Sequence, residues 1–455
     1  MSQPLPPFAP APVTGATPGR NPLKGWRISR PAFFLCLVAS LSFVFHFFAL
    51  VLSPSIYGVA VAVAVAGYVV TKPLSVSRRP VLPLCILLVA CMAVNFWRST
   101  RLPGALVDIL VLVVALFLVV FPTAKPKDYR PLLVVIVVWG IFFAIGVLLD
   151  FGAPPLFNAS LSFFPWSFAS VVRNVSRRFA CGFSTNPGFS AGYIACAILA
   201  LVSTVRGRSS LSLPKILLFA FLAAGMLCTA KRGHVLFLFM AIVICYLLPM
   251  KGRQIIARYW KLFSLGILGV VLFITFEDSL ANIPFVGRAI TTVTDYMEGV
   301  DVSSGRSKLW TQAIDLFHAH PWIGIGWGDY RLTLLGQKGF VSDHDAHDIY
   351  LQLLCETGIT GLVLFAVFFV FFWGVTRKLY RLCLAAPDPA LRSLVPVLHF
   401  SILYQTFFLL YGITGNVIYD QHYQIMYMLA CGMTATCREI CIRRTAELRR
   451  HGGLP

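Results

Sequence analysis

Uninterrupted apolar runs narrow the folds open to this chain more than any other feature. SIYGVAVAVAVAGYVVT (Ser55–Thr71) and ITGLVLFAVFFVFFWGVT (Ile359–Thr376) are two of many. Each such block of seventeen residues or more is about long enough to cross ~30 Å of hydrocarbon as a helix. A soluble core cannot absorb so many of them. Charged residues make up 12% of the 455-residue chain, against about 25% in an ordinary soluble domain. The pattern describes an all-α polytopic integral membrane protein.

Twelve spans are expected: Ala32–Leu52, Ser55–Thr71, Pro80–Trp97, Pro103–Pro122, Pro131–Asp150, Phe189–Val205, Leu213–Thr229, His234–Pro249, Trp260–Phe276, Ile349–Trp373, Ser393–Thr414 and Tyr419–Thr436. Residues 1–31, rich in Pro, Ala and Gly, read as a disordered tail. They are no cleavable signal peptide, because the first apolar run starts too late and is too long. Residues 32–276 hold spans one to nine, with an outer loop at 151–188. A large outer loop follows at 277–348, then spans ten to twelve at 349–436, then a basic tail at 437–455. Most Lys and Arg residues fall in the two termini and the loops on their side, so the positive-inside rule makes both termini cytoplasmic. The two long loops then face outward.

The basic residues left on the outer side are more informative: Arg98, Arg101, Arg173, Arg177, Arg178, Lys231, Arg232, Arg288, Arg306, Lys308, Arg331 and Lys338. Lys231 and Arg232 lie in CTAKRGHVLF, a short turn between two apolar helices, so their side chains stay close to the membrane face. Any one such residue reads equally well as snorkelling to headgroups. Their recurrence in several outer loops points instead to a shared anionic ligand, because Arg offers two parallel donors to a phosphate.

The stretch HDAHDIYLQLLCETGITG (His344–Gly361) puts two imidazoles and flanking carboxylates at the start of a long apolar helix. The plain reading is a polar helix cap. His344, His347, Asp343 and Asp348 also make a possible metal set, although all are crowded into one turn. His318 and His320 read as interfacial, and His46 and His399 as packing groups within spans. Asp108 is an intramembrane carboxylate with no evident partner. Most of the twelve cysteines fall within spans and behave as small apolar residues; Cys181 has no mate in its loop. The net charge of +20 comes largely from cytoplasmic loops, which fits anionic headgroups and not nucleic acid.

The sequence has no GxxxxGK[ST] loop, and the glycines of PWIGIGWGDY (Gly324, Gly326, Gly328) read as a bend at the membrane surface. Chemistry on the outer side therefore needs a donor that arrives activated. A lipid-linked pyrophosphate is anionic, membrane-bound and a good leaving group.

Three stretches resemble the O-antigen ligase family, within the broader group of O-antigen polymerases and bacterial protein O-oligosaccharyltransferases. SSGRSKLWTQAIDLFHAHPWIGIGWGDY (Ser303–Tyr330) is similar to the family's Gly-Arg, Leu-Trp, Pro-x-x-Gly-x-Gly pattern. HDIYLQLLCETGITG supplies His347, Gly358 and Gly361 at the family spacing, with Asp348 where the family usually has an amide or hydroxyl. RRFACGFSTNPGFSAGY and the Arg232–Gly233 turn resemble its remaining motifs. The resemblance implies a GT-C-like bundle with a large helical periplasmic loop between spans nine and ten. It implies transfer of a glycan from undecaprenyl pyrophosphate to a sugar hydroxyl of lipid A–core, in the bacterial inner membrane, inverting, with no metal or other cofactor. His347, Arg306 and Arg232 carry over as catalytic residues. Arg178, Lys231, Arg288, Arg177, His344 and Asp348 are expected to help bind pyrophosphate or acceptor.

On chemical grounds His347 suits a general base, because an imidazole of pKa ~6.5 is largely neutral at pH 7. The arginines suit the charge that grows on departing pyrophosphate. His347 could instead bind the acceptor while the arginines do most of the work. A polymerase or protein glycosyltransferase would share these residues and differ in acceptor. A twelve-span transporter is the non-enzymatic alternative, but transporters usually carry polar residues at mid-membrane in two related halves, and neither is evident here.

Overall fold

The computed structural model describes residues 28–71, 80–100, 102–123, 125–176, 179–205, 212–249, 284–298, 305–334 and 345–450. Helices dominate, and among the described residues there is no strand. In chain order they are α1 (Arg30–Phe43), α2 (Phe45–Val51), α3 (Pro54–Val70), α4 (Val81–Arg98), α5 (Leu102–Val120), α6 (Tyr129–Gly152), α7 (Pro154–Ser160), α8 (Trp166–Ser176) and α9 (Pro187–Ser203). They continue as α10 (Leu213–Cys228), α11 (Arg232–Leu247), α12 (Pro284–Met297), α13 (Arg306–Ala319), α14 (Tyr330–Leu334), α15 (Ile349–Ala385), α16 (Pro389–Arg392), α17 (Val395–Tyr411) and α18 (Gln421–Arg450).

Among the described residues, five stretches are long and apolar enough to cross a membrane: Val81–Arg98, Pro126–Gly152, Ile349–Ala385, Pro389–Tyr411 and Gln421–Glu447. Shorter apolar helices fall at most of the other expected spans, including Pro54–Val70, Pro187–Ser203 and Arg232–Leu247. The ninth expected span, Trp260–Phe276, and most of the N-terminal tail lie outside the described residues.

The starts of these helices follow local chemistry. Ser53 and Asn186 place a side-chain oxygen on the first free N–H groups of α3 and α9, and a proline opens each helix. α9 is buried on nearly every face from Ser190 to Leu201, and α17 and α18 are also largely enclosed. Close approach relies on small residues. A methyl on Gly140 of α6 would fall 2.1 Å from Ala197 Cβ of α9, and one on Gly432 of α18 would fall 2.5 Å from Leu118 O of α5.

Three elements differ from the expected spans. The first breaks at Val44 (φ −101°, ψ 9°) into α1 and α2, with neither Gly nor Pro at the break. The tenth runs to Ala385 and is interrupted at Gly358 (φ 65°, ψ −173°). The last continues as helix through the expected basic tail to Arg450.

The interruption at Gly358 shapes the start of α15, next to His347. An unbroken helix would pair the N–H groups of Ile359 and Thr360 with Cys355 and Glu356. Here Ile359 and Thr360 donate to the carbonyls of Pro321 and Trp322, at 2.9 and 3.3 Å. The carbonyls of Cys355 and Glu356 accept from Ile325 and Gly326, both at 3.0 Å. The PWIGIGWG loop is thus spliced into the hydrogen-bond ladder of α15. Gly324, Gly326 and Gly328 all have positive φ (67°, 121° and 79°). A Cβ on Gly324 would sit 2.3 Å from Glu356 backbone, and one on Gly358 would sit 2.3 Å from Trp322 backbone. Arg98 donates to Gly324 O at 2.8 Å, and Ser99 and Thr100 bind the Asp329 carboxylate, so the loop between α4 and α5 pins the far side.

Candidate active site

A cavity of about 710 Å³ opens where the starts of five helices meet. α9 contributes Asn186, Gly188 and Phe189; the turn into α11 contributes Lys231, Arg232, Gly233 and His234. Arg306 and Trp310 come from α13, His347 from the residues before α15, and Asp420, Gln421 and Tyr423 from the start of α18. Each helix N-terminus carries partial positive charge from its unpaired N–H groups. α11 and α13 have no side-chain cap and begin at the two arginines. The side of the wall built from Lys231, Arg232 and Arg306 favours an anion, and Asp108, Asp345 and Asp420 line the same cavity.

Arg232, Lys231, Arg306 and His347, distant in sequence, line this one space. Burial holds the Arg306 guanidinium below its ordinary value, with Tyr411 opposing that shift. Asp348 is not part of the lining. It caps α15, accepting from Tyr350 N at 2.8 Å and Leu351 N at 3.0 Å. Burial raises its carboxyl, and those two N–H groups oppose the rise. Arg288 lies on α12. Arg177, Arg178 and His344 lie outside the described residues.

His347 has a φ of 53°, in the left-handed region that non-glycine residues seldom enter. The chain around it is held on both sides. Trp310 Nε1 donates to Ala346 O at 3.1 Å, and Ile349 N donates to Gly412 O at 2.9 Å. Two residues before it, Asp345 accepts a bidentate ion pair from Arg331. Burial alone would raise the Asp345 carboxyl, but the Arg331 charge and hydrogen bonds outweigh it and leave it below the usual range.

Several lining residues carried no signal in the sequence reading. Asp420 is the main one. Its carboxyl is pushed up to about 7, first by burial and then by Asp345, with Arg331 opposing and Asp108 adding to the rise. Asp108, which had no evident partner in sequence, accepts from Gln421 Nε2 at 3.0 Å and reaches the same cavity. His234 Nε2 stands 2.7 Å from the Tyr423 hydroxyl. His46 is both a packing group, stacked on Phe189 at 3.5 Å between centroids, and part of the cavity wall. The break at Val44 is what turns Phe45 and His46 toward this wall. Elsewhere, His399 stacks on Tyr380 and His318 and His320 are exposed. All twelve cysteines are free thiols.

No curated protein matches the chain. Residues 217–366 match the family model Wzy_C, described as O-antigen ligase. That span includes Lys231, Arg232, Arg306, Arg331, Asp345 and His347 of the cavity wall, as well as the spliced glycine loop. Over residues 217–366, about a third of its length, this helical chain is similar to the O-antigen ligase family.

Proposed function

We propose that the protein is an O-antigen ligase. It transfers a glycan from undecaprenyl pyrophosphate to a sugar hydroxyl of lipid A–core, at the periplasmic face of the bacterial inner membrane. The observation that carries this reading is the gathering of Arg232, Arg306 and His347 around one cavity ringed by helix N-termini. A wall that sets two arginines beside the His347 imidazole suits a reaction in which pyrophosphate departs and a hydroxyl loses its proton.

The acceptor oxygen attacks the anomeric carbon from the face opposite the leaving group, so the configuration inverts. The bond from that carbon to the pyrophosphate oxygen breaks, and its electron pair leaves with undecaprenyl pyrophosphate. Arg232 and Arg306 hold the oxygens on which charge grows, with Lys231 adding to the field. His347 takes the hydroxyl proton. Arg177, Arg178, Arg288 and His344 are proposed to help bind pyrophosphate or acceptor. Asp348 acts through its cap on α15 and not on the donor. Two lipid-borne substrates confined to the same membrane surface would have a shorter search for a productive pair.

The test is reconstitution of the purified full chain with undecaprenyl-pyrophosphate glycan and lipid A–core, in EDTA. Glycan appearing on lipid A–core, lost in His347→Ala and Arg306→Ala, supports the ligase. Growth of the glycan on its own carrier makes the protein a polymerase. Transfer only to an added protein makes it a protein glycosyltransferase. Movement of the lipid-linked glycan across the bilayer without a new glycosidic bond makes it a transporter.

A further inference from the structure

Gln352 is fully buried in the first turns of α15, four residues after Asp348 and four before Glu356. Its Nε2 donates to Asp345 Oδ1 at 3.1 Å and to Glu356 Oε1 at 3.2 Å. Its Oε1 accepts from Ala346 N at 3.1 Å. Both amide hydrogens and the carbonyl are therefore engaged. The flipped amide would turn its oxygen toward two carboxylates, so one orientation alone satisfies the site.

These bonds surround the residue proposed to take the proton. Gln352 holds the N–H of the residue preceding His347, and Trp310 holds that residue's carbonyl. The left-handed backbone of His347 is a conformation that persists only where neighbours enforce it. The same amide reaches the cationic wall. Asp345 pairs with Arg331, and Glu356 accepts from Gly328 N at 2.8 Å and Tyr330 N at 3.2 Å, just before Arg331. Among the described residues the hydrogen bonds of the Gln352 side chain run to Asp345, Ala346 and Glu356, and to none on the helices that carry Arg232 and Arg306.

We infer that Gln352 is a positioning residue, whose amide sets His347 and Arg331 in register at the cavity wall by holding Asp345, Ala346 and Glu356 together. The inference rests on the ligase reading, with His347 accepting the proton. It separates two kinetic quantities. Losing Gln352 displaces the imidazole but leaves Arg232 and Arg306 in place, so turnover falls while donor binding persists. A misplacement of about 1 Å in such a site costs about 100-fold.

The experiment uses the full chain in liposomes with undecaprenyl-pyrophosphate glycan and lipid A–core, at varied donor concentration. Gln352→Met keeps the volume and removes the polar group; kcat should fall by about 100-fold, with donor KM within about threefold of wild type. Gln352→Glu provides a readout that a general loss of stability would not move. As a neutral acid it keeps one donor and one acceptor; as a carboxylate it has no donor and faces two other carboxylates, Asp345 and Glu356, with Arg331 the nearest opposing charge. Its activity relative to wild type should therefore fall as pH rises. Wild-type kcat in Gln352→Met overturns the inference, as does a donor KM that rises in step with the loss of kcat, or a Gln352→Glu ratio flat across pH. His347→Ala tells the two levels apart. If it is active, the ligase mechanism fails and the inference with it; if it is inactive while the Gln352 variants match wild type, only the inference fails.

Discussion

Two fully buried glutamines mark two regions with opposite uses of polarity. Gln405, within α17, donates from Nε2 to the hydroxyls of Thr376 at 3.0 Å, Ser401 at 2.9 Å and Thr434 at 3.3 Å. Thr434 lies 2.7 Å from Thr376 and 2.8 Å from Ser401. That knot ties α15, α17 and α18 with neutral groups, and none of its members lines the cavity. Gln352, near the start of α15, bonds to carboxylates in a network that ends at a cavity wall bearing guanidinium and imidazole groups. Polar groups that satisfy one another between helices hold a bundle together. Those that lead to a cavity are placed to meet something else.

The contrast can be broken most directly by removing charge from the outer region and hydroxyls from the inner one. Arg232→Ala, Arg306→Ala and His347→Ala should each lower ligation by about 10²–10³-fold with little change in thermal unfolding. Thr434→Val should do the reverse, keeping the rate and lowering stability by about 1–2 kcal/mol. An Arg variant that unfolds, or a Thr434 variant that folds but does not turn over, would erase the distinction. The spliced loop sharpens it. Gly324→Ala should cost about 2–5 kcal/mol, from positive φ and a backbone clash together. Gly328→Ala, with open space around its Cβ, should cost about 1–2 kcal/mol. Denaturation of the two variants side by side measures the difference.

Asp420 should give a smaller effect with a definite sign. Its carboxyl is raised to about 7, so it passes from acid to carboxylate as pH rises through neutrality. Ligation should climb between about pH 6 and pH 8, and Asp420→Asn should remove that part of the pH–rate profile at a cost of about tenfold. Asp345→Asn should be mildest, at about threefold in rate. The Asp345 carboxyl is held below its ordinary value, so its contribution to stability is present above the unfolded value and is lost as pH falls through the lowered one. Thermal unfolding from about pH 6 down to pH 3 should show that loss in the wild type and not in the variant.

Much of the helical plan was legible because apolar runs of membrane length leave a chain few choices. The convergence of Arg232, Arg306 and His347 came from motif spacing, and the cavity groups these residues. Asp348 shows where motif reading was incomplete. It departs from the amide or hydroxyl usual at its position, but as an N-cap it does what Asn or Ser would do there. Asp420 was missed because, as the second residue of the twelfth expected span, Tyr419–Thr436, it looks like any acid at a span's edge until its burial is known. Gln352 had a faint signal, its spacing of four from both Asp348 and Glu356, which places all three on one helix face. The break at Val44 had none, since neither Gly nor Pro marks it. Twelve spans remain an expectation beyond the five stretches of membrane-crossing length.

The exchange of hydrogen bonds at Gly358 bears on how large substrates gain entry. Lifting the PWIGIGWG loop would strand four backbone groups of α15 and four of its own partners at once, each unmet group costing about 1–3 kcal/mol unless water replaced its partner. The loop is therefore a fixed floor, not a gate. On the ligase reading, whatever yields to admit the substrates does so around it, while the surface that carries His347 and Arg331 keeps its shape.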